Sequence, residues 1–348
     1  MSVWPGLGDI MFATPAIRHI RKAEPDAYVA AACFDDSPGI SLLDTNPHLD
    51  EVFFSPGSVY SVPGLKASLE WLKARGFDAA LELSFPVYWL FRLAGITEIA
   101  RFADRGLWWL YPYMDKSERD VHAAEQFVRA AESLCGFFER DGLAYDLVLR
   151  DEDERAAEEM LSSVKRPFVV MHPGARCNRN KRWDVERFIE LSRNLGAEAG
   201  VATVVIGGAE DAPLAEGMRC ELGDVVTPLA GKASLREMAA VAKRAALYIG
   251  NDSGPLHVAA STGVPIVAVF ASSNSANFRP IGEKVKVVKP PDDCSPCLHF
   301  PGYNWLQWGL RLRYYNRCKA MEGLGVRPVQ EACLALLEGD GGVLKESS

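Results

Sequence analysis

Residues Ile249 to Ala260 read Ile-Gly-Asn-Asp-Ser-Gly-Pro-Leu-His-Val-Ala-Ala. An apolar strand stops there on small polar residues, and a helix opens directly behind them. Asp252 and Ser253 are preferred N-cap residues, Pro255 suits a first helical turn, and Ala259 and Ala260 allow close packing. Exposed amides at such a turn suit a phosphate, so Asp252, Ser253, Gly254 and His257 are candidate ligands of a diphosphate. The plain alternative is an ordinary capped helix, with His257 bonded to backbone.

A second run, Pro167-Phe168-Val169-Val170-Met171-His172-Pro173-Gly174-Ala175, reads as a buried strand stopped by Pro and Gly. It is followed by Arg176, Arg179, Lys181, Arg182 and Trp183. Ligands of open α/β sheets sit beyond the carboxyl ends of the strands, so both loops are expected to face one crevice. Gly174 and Ala175 permit close backbone approach to a donor. Arg176 and Arg179 fit a solvated basic loop equally well; Lys181 fits it less. Glu210, past Ile206-Gly207-Gly208-Ala209, is either a ribose contact or an exposed loop charge. A third run, Gly6-Leu7-Gly8-Asp9-Ile10-Met11, is a glycine turn with one carboxylate feeding a helix that carries Pro15 near its start. Met11 stands where a dinucleotide fingerprint has its third glycine, so that reading is excluded. Asp9 is either an N-cap or a reactive carboxylate.

Taken together, the Gly-Asp...Thr-Pro opening, the His-Pro-Gly-Ala loop followed by Lys-Arg-Trp and the Asn-Asp-Ser-Gly-Pro-Leu-His turn resemble glycosyltransferase family 9, the bacterial heptosyltransferases. The likeness extends through 46–52, 77–83 and 263–270. It implies two Rossmann-like α/β domains facing across a cleft, the GT-B type, and transfer of a sugar with inversion. Heptose from ADP-heptose is the implied donor, and a lipopolysaccharide-core or related glycan the acceptor. By the same resemblance Asp9 is the base and Lys181 a ligand of the leaving group, with no metal and no cofactor required.

The chemistry asks for both. An attacking hydroxyl must lose a proton while an oxocarbenium-like centre forms, and negative charge grows on the departing diphosphate. An ordinary Asp, with a pKa of about 3.9, acts only late, once bond formation has acidified the hydroxyl. Two other functions share the cradle. A GT-B nucleotide-sugar epimerase would interconvert its donor without an acceptor, and a non-catalytic relative would bind nucleotide sugar without turnover.

Short apolar runs alternating with helical patterns position these loops, as in parallel βαβ units. Strands are expected near 28–33, 51–54, 78–83 and 98–102 in the first half, with helices near 15–23, 65–74 and 122–135. Further strands are expected near 168–172, 203–206, 247–250, 266–270 and 285–288, with helices near 184–195, 214–222 and 235–242. The hinge is placed at 150–166. The domains are therefore 1–155 on the acceptor side, 156–325 for the nucleotide sugar, and a helix with tail at 326–348. Only Ser2-Val3-Trp4-Pro5 precedes the first glycine turn, where a strand of about half a dozen apolar residues belongs. A truncated first strand is the expectation, with a missing N-terminus favoured over a sheet that lacks it, because an absent central strand would expose its neighbours' edges.

At 348 residues and 48% hydrophobic residues, the chain can build two cores. A net charge of -8 argues against nucleic-acid binding. With eight scattered cysteines and no N-terminal apolar stretch, a reducing cytoplasm is the expected setting. Cys294-Ser295-Pro296-Cys297 with Cys318 falls short of a four-ligand zinc set unless His299 joins it, so a reduced proline turn is expected. For the acceptor, Lys116, Arg119 and His122 are candidate contacts, near aromatic runs at 85–92 and 101–116 that serve either as core or as a sugar platform. The basic, aromatic segment 299–319 is either a peripheral contact with the inner membrane or a lid.

Overall fold

The structure is a computed structural model describing residues 1–2, 6–34, 38–83, 87–101, 120–137, 139–175, 179–290 and 318–339. The chain divides into two compact units, Met1–Val148 and Leu149–Ser348.

In the first unit, helix α1 spans Leu7–Ala23 behind an extended Gly6. The expected glycine turn is therefore the first turn of the helix. A glycine inside a helix costs about 1 kcal/mol relative to alanine, but the unbroken buried run from Ile10 to Ile20 gives the segment a large core-facing surface that outweighs it. Pro15 lies well inside α1 rather than near its start. The carbonyl it leaves without an intrahelical amide, that of Met11, accepts the Thr14 hydroxyl at 2.9 Å, while the Asp146 N–H donates to the same hydroxyl at 3.0 Å. The buried Arg18 ties α1 to the segment before the unit boundary through Asp141, Asp146 and the Ala144 carbonyl.

Strands β1 (Ala30–Cys33) and β2 (Glu51–Phe54) pair in parallel, as do β3 (Ala79–Glu82) and β4 (Glu98–Arg101). The gap between the two pairs is bridged at Ser2, which meets Ala32 on one side and Glu82 on the other. Its N–H donates to the Leu81 carbonyl at 2.9 Å, and its carbonyl accepts the Leu83 N–H at 3.0 Å. Below this bridge lies a cavity of about 730 Å³ lined by Met1, Ala30, Ala32, Leu72, Leu81 and Phe91 among others. Among the described residues before Ala30, Ser2 alone thus pairs at this central position, through isolated bridges and not as part of a strand. Helix α2 (Val62–Arg75) connects β2 to β3, and α3 (Tyr88–Ala94) connects β3 to β4. The described part of the aromatic run at 85–92 belongs to α3, with Leu90 and Phe91 buried in this unit's core. Helix α4 (Ala123–Cys135) packs along α1.

The second unit opens with α5 (Asp151–Met160), the charged helix read as a hinge. It is bound to its own unit. Helix α8 (Leu235–Lys243) lies beside it, and Glu154 accepts Lys243 at 2.7 Å and pairs with Arg244. The sheet comprises β5 (Phe168–His172), β6 (Ala202–Val205), β7 (Val226–Pro228), β8 (Leu247–Asn251), β9 (Ile266–Val269) and β10 (Val285–Val288). All neighbours are parallel, in the order β10-β9-β8-β5-β6-β7. β5, β6, β8 and β9 are buried along their whole lengths, which is why they read as continuous apolar runs. β7 escapes such a reading because it is three residues long and carries Pro228 at the sheet edge.

This is the doubly wound order, with the reversal between β5 and β8. The crevice beyond the carboxyl ends of those two strands is the usual ligand position in such a sheet. Helices α6 (Val185–Ala199), α7 (Ala212–Leu222), α9 (Gly254–Ala260), α10 (Ser275–Phe278), α11 (Lys319–Gly323) and α12 (Val326–Gly339) complete the unit, α6 and α12 packing against each other. Among the described residues no helix is long and apolar enough to cross a membrane.

Candidate functional site

The His172 end of β5 and the Asn251 end of β8 lie side by side, since His172 pairs with Gly250 in register. Asn251, fully buried, fastens the loop after β5 at both ends. Its Nδ2 donates to the Pro173 carbonyl at 2.8 Å, and its Oδ1 accepts the Trp183 N–H at 3.0 Å. Between those two anchors the chain carries Gly174, Ala175 and Lys181. The Lys181 ammonium sits 2.7 Å from Asp252 Oδ2, and the Ser273 hydroxyl donates to the same carboxylate. Asp252 is buried, while the Lys181 side chain keeps 27% of its exposure. The cation is therefore aimed at the rim of the crevice by a carboxylate that sits behind it. A fork of this kind suits an incoming polyanion: Lys181 supplies charge, and Asp252 sets its position.

Ser253 and Gly254 follow at the start of α9, partly exposed, with Ser253 extended and making no cap bond through its side chain. Its hydroxyl lies 3.0 Å from His172 Nδ1 and 3.1 Å from the Asn251 carbonyl. The other nitrogen of that ring, Nε2, lies 3.3 Å from Asp211 Oδ2. His172 and Asp211 are both buried. Burial pushes the Asp211 carboxyl up, but the bond and charge of His172, the Gly208 N–H at 3.1 Å and the Arg182 charge outweigh it. The group is held below the usual carboxylate range. Burial pushes the neighbouring Tyr248 phenol strongly up, and the Asp211 charge adds to the effect.

The structure thus brings Lys181, Gly174, Ala175, Asp252, Ser253 and Gly254 to one end of the second sheet. His257 is buried one helical turn further along α9. Glu210 is exposed, its carboxylate folded over Gly208. Its neighbour Asp211, which the sequence does not single out, is buried against His172, which reads in the sequence only as the end of a strand. The readable signal was a pair of glycines. A Cβ on Gly174 would lie 2.2 Å from Asp211 Oδ1, and one on Gly207 2.6 Å from Oδ2. Gly174→Ala is therefore expected to destabilise the protein by about 1–3 kcal/mol. Gly217→Ala in α7, where nothing lies within 4 Å of the added methyl, is expected to stabilise by roughly 0.5–1 kcal/mol. Urea unfolding of the two variants beside the parent checks the contrast, and equal midpoints would contradict it.

In the first unit, Asp9 stands in the first turn of α1, half-buried. His122 caps α4, its Nδ1 accepting the Ala124 N–H at 3.2 Å, and its ring meets Phe12 edge-on at 5.2 Å. Lys116, Arg119 and the run 102–119 lie outside the described residues, as do Cys294, Cys297 and 299–317. Cys318 is buried. Among the described residues no cluster of His, Cys, Asp and Glu has the makeup of a metal site.

A sequence profile described as glycosyltransferase family 9 (heptosyltransferase) matches residues 67–303. Lipopolysaccharide heptosyltransferase 3 of Escherichia coli (strain K12) is 24% identical over 297 residues, covering 80% of this chain and 83% of that protein. Among solved structures, E. coli ADP-heptose lipopolysaccharide heptosyltransferase II superposes with a TM-score of 0.72 at 20% identity, covering 97% of this chain and 98% of the other. A glycosyl transferase family 9 protein from Veillonella parvula gives 0.76 at 24% identity, covering 97% and 96%.

Proposed function

The chain belongs to glycosyltransferase family 9, the heptosyltransferases, and from that premise we propose that it transfers heptose from ADP-heptose to a lipopolysaccharide-core or related glycan acceptor, with inversion and without a metal ion. The observation that carries the donor half is the Lys181–Asp252 pair standing with Ser253 beyond the β5 and β8 ends, at the point where the strand order reverses. ADP-heptose is the donor named for one of the structural relatives, and lipopolysaccharide is named for the curated one.

In this reading the diphosphate lies against the Gly174–Ala175 backbone, and the amides of Ser253 and Gly254 face it. As the glycosidic bond breaks, charge grows on the diphosphate, and Lys181 is placed to stabilise it. Asp252 keeps Lys181 from swinging into solvent, so little reorganisation is needed when that charge appears. Asp9 takes the proton of the attacking hydroxyl late in the step, when its acidity has risen. Because the new bond forms on the face opposite the departing diphosphate, the anomeric configuration inverts. The protein works on the cytoplasmic side of the inner membrane, where a nucleotide sugar and a lipid-linked acceptor can meet.

Calorimetric titration of the purified protein with ADP, UDP, GDP and dTDP and their sugar conjugates tests the donor. ADP-heptose is expected to bind best, and preference for another nucleotide would keep the fold and overturn the donor. Transfer is further expected to persist in excess EDTA, because a lysine takes the part that a divalent ion plays elsewhere. Activity lost in EDTA and restored by magnesium would count against the metal-independent mechanism.

A further inference from the structure

Helix α3 turns one apolar face inward and another outward. At about 100° per residue, Leu90, Phe91 and Ala94 share the side that packs on the core of the first unit. Tyr88, Arg92, Trp89 and Leu93 follow one another around the opposite side, over an arc of about 140°. That outer arc carries no acidic residue, where a solvated helix face is mostly polar and charged. Tyr60 joins it, its ring 6.5 Å from that of Trp89. Tyr60 and Val62 stand where the chain turns into α2, and this turn is held in one shape. The Ser61 hydroxyl donates to the Ser58 carbonyl at 2.7 Å and accepts the Gly64 N–H at 3.2 Å, and a Cβ on Gly64 would lie 2.3 Å from the Ser58 carbonyl oxygen. Even so, Tyr60 is 67% exposed, Val62 81% and Leu93 58%. A fixed turn and a short helix thus hold apolar side chains out in water, which contributes nothing to the stability of an isolated chain.

The polar tips of the same patch show what it can meet. Among the described residues, the Tyr60 hydroxyl, the Trp89 indole N–H and the Arg92 guanidinium have no partner in the protein. The indole and the guanidinium can only donate. The surface that receives them must therefore offer acceptor oxygens and negative charge just outside an apolar layer. Phosphate and ester oxygens lying over acyl chains have that layering throughout, and a fluid bilayer adapts to projecting side chains such as Val62. Lys66, on the first turns of α2, stands 3.8 Å from Glu70 with both side chains exposed, so that pair adds little net charge.

We propose that the outer face of α3 and the Tyr60–Val62 turn seat the protein on an anionic phospholipid bilayer. Tyr60 and Trp89 lie at headgroup level, Val62 and Leu93 reach the acyl boundary, and Arg92 meets lipid phosphate. This rests on the lipid-linked acceptor of the reading above, since a protein held on the bilayer searches for such an acceptor in two dimensions.

Cosedimentation of the full-length protein with sucrose-loaded vesicles tests the contact, with no acceptor present. Vesicles of phosphatidylglycerol and phosphatidylethanolamine are compared with pure phosphatidylcholine. The parent is expected to bind the anionic vesicles, and the neutral ones several-fold more weakly. The double variant Tyr60→Ser with Leu93→Ser is expected to weaken anionic binding by about tenfold or more, and Arg92→Glu by about 10–30-fold. Both should keep the parent's affinity for ADP-heptose, whose proposed ligands all lie in the second unit. Arg92→Glu alters one exposed side chain, so it serves if the double variant fails to fold. A parent that sediments with neither vesicle would overturn the proposal, as would variants that sediment as the parent does, which would put the contact elsewhere in the chain. A parent that ignores vesicles but forms a dimer broken by the double variant would assign the face to a second copy of the chain. Vesicle binding lost in the variants, without transfer by the parent to any lipopolysaccharide-core acceptor, would support the contact and strike the acceptor reading alone.

Discussion

Lys181→Ala is expected to lower turnover by about 10²–10³-fold, the usual loss when one fixed donor to a developing anion is removed. The substitution does two things at once. It withdraws the cation proposed to meet the leaving group, and it takes the ammonium away from the buried Asp252, which keeps the Ser273 hydroxyl. An unpaired carboxylate at this depth costs stability as well as activity, although Lys181 itself is partly exposed, so the cost is moderated by solvent. The two effects separate in the double variant Lys181→Ala with Asp252→Asn. The neutral amide needs no counter-charge, so the melting temperature should recover toward the parent value while turnover stays low. Turnover that recovers with the melting temperature would mean that Lys181 matters only for folding. Steady-state kinetics and thermal unfolding on the three proteins decide the matter.

Asp9→Asn is expected to lower turnover by about 10²–10⁴-fold, the range for loss of a general base, with the affinity for donor nucleotide nearly unchanged. The amide has the size of the acid, and the first turn of α1 is held by the buried face from Ile10 onward, so the fold should persist. A separate calorimetric titration with ADP reads the affinity. Preserved turnover would remove Asp9 from the mechanism. A parallel loss of nucleotide affinity would turn it from a base into a structural group. Contrasting kinetics for the two variants would also divide the labour between residues of the first and second units.

The parts of the site that were legible in the sequence are those whose chemistry depends on residue type alone. Lys181, Asp252 and Ser253 stand just past apolar runs, and the ends of parallel strands are where the crevice of an open α/β sheet lies. The doubly wound sheet was legible for the same reason, since fully buried parallel strands leave uninterrupted apolar stretches. Asp211 was hidden by its neighbour Glu210, because a run of two acids gives no phase until the 3-10 turn at Ala209–Asp211 shows which one points inward. His172 was hidden by its setting at the end of an apolar strand. The start of α1 was misplaced by the habit of reading Gly-Asp as a turn, and the position of Pro15 was obscured because the Thr14 hydroxyl covers the carbonyl that the proline frees. For Asp211 and His172 the missing knowledge was a tertiary partner, which residue types and spacing do not report.

Trp183, fixed to Asn251 through its backbone, is tied at its other end to a distant part of the chain. Its indole N–H donates to the Leu324 carbonyl at 2.8 Å. One turn on, the Arg187 guanidinium gathers the Met321 carbonyl at 3.0 Å and the Glu322 carbonyl at 2.5 Å, with a further bond to Leu324. The ledge that presents Lys181 is thus stapled to a segment about 140 residues downstream, as the sequence separation of that indole bond shows. Trimming the protein from its carboxyl end, by a protease or by a premature stop codon, would loosen the lysine ledge well before it reached β8 or the start of α9. Nicked material should therefore lose nucleotide affinity and stability together, because Val326, Val329, Cys333 and Leu337 of α12 belong to the same core as the six-stranded sheet.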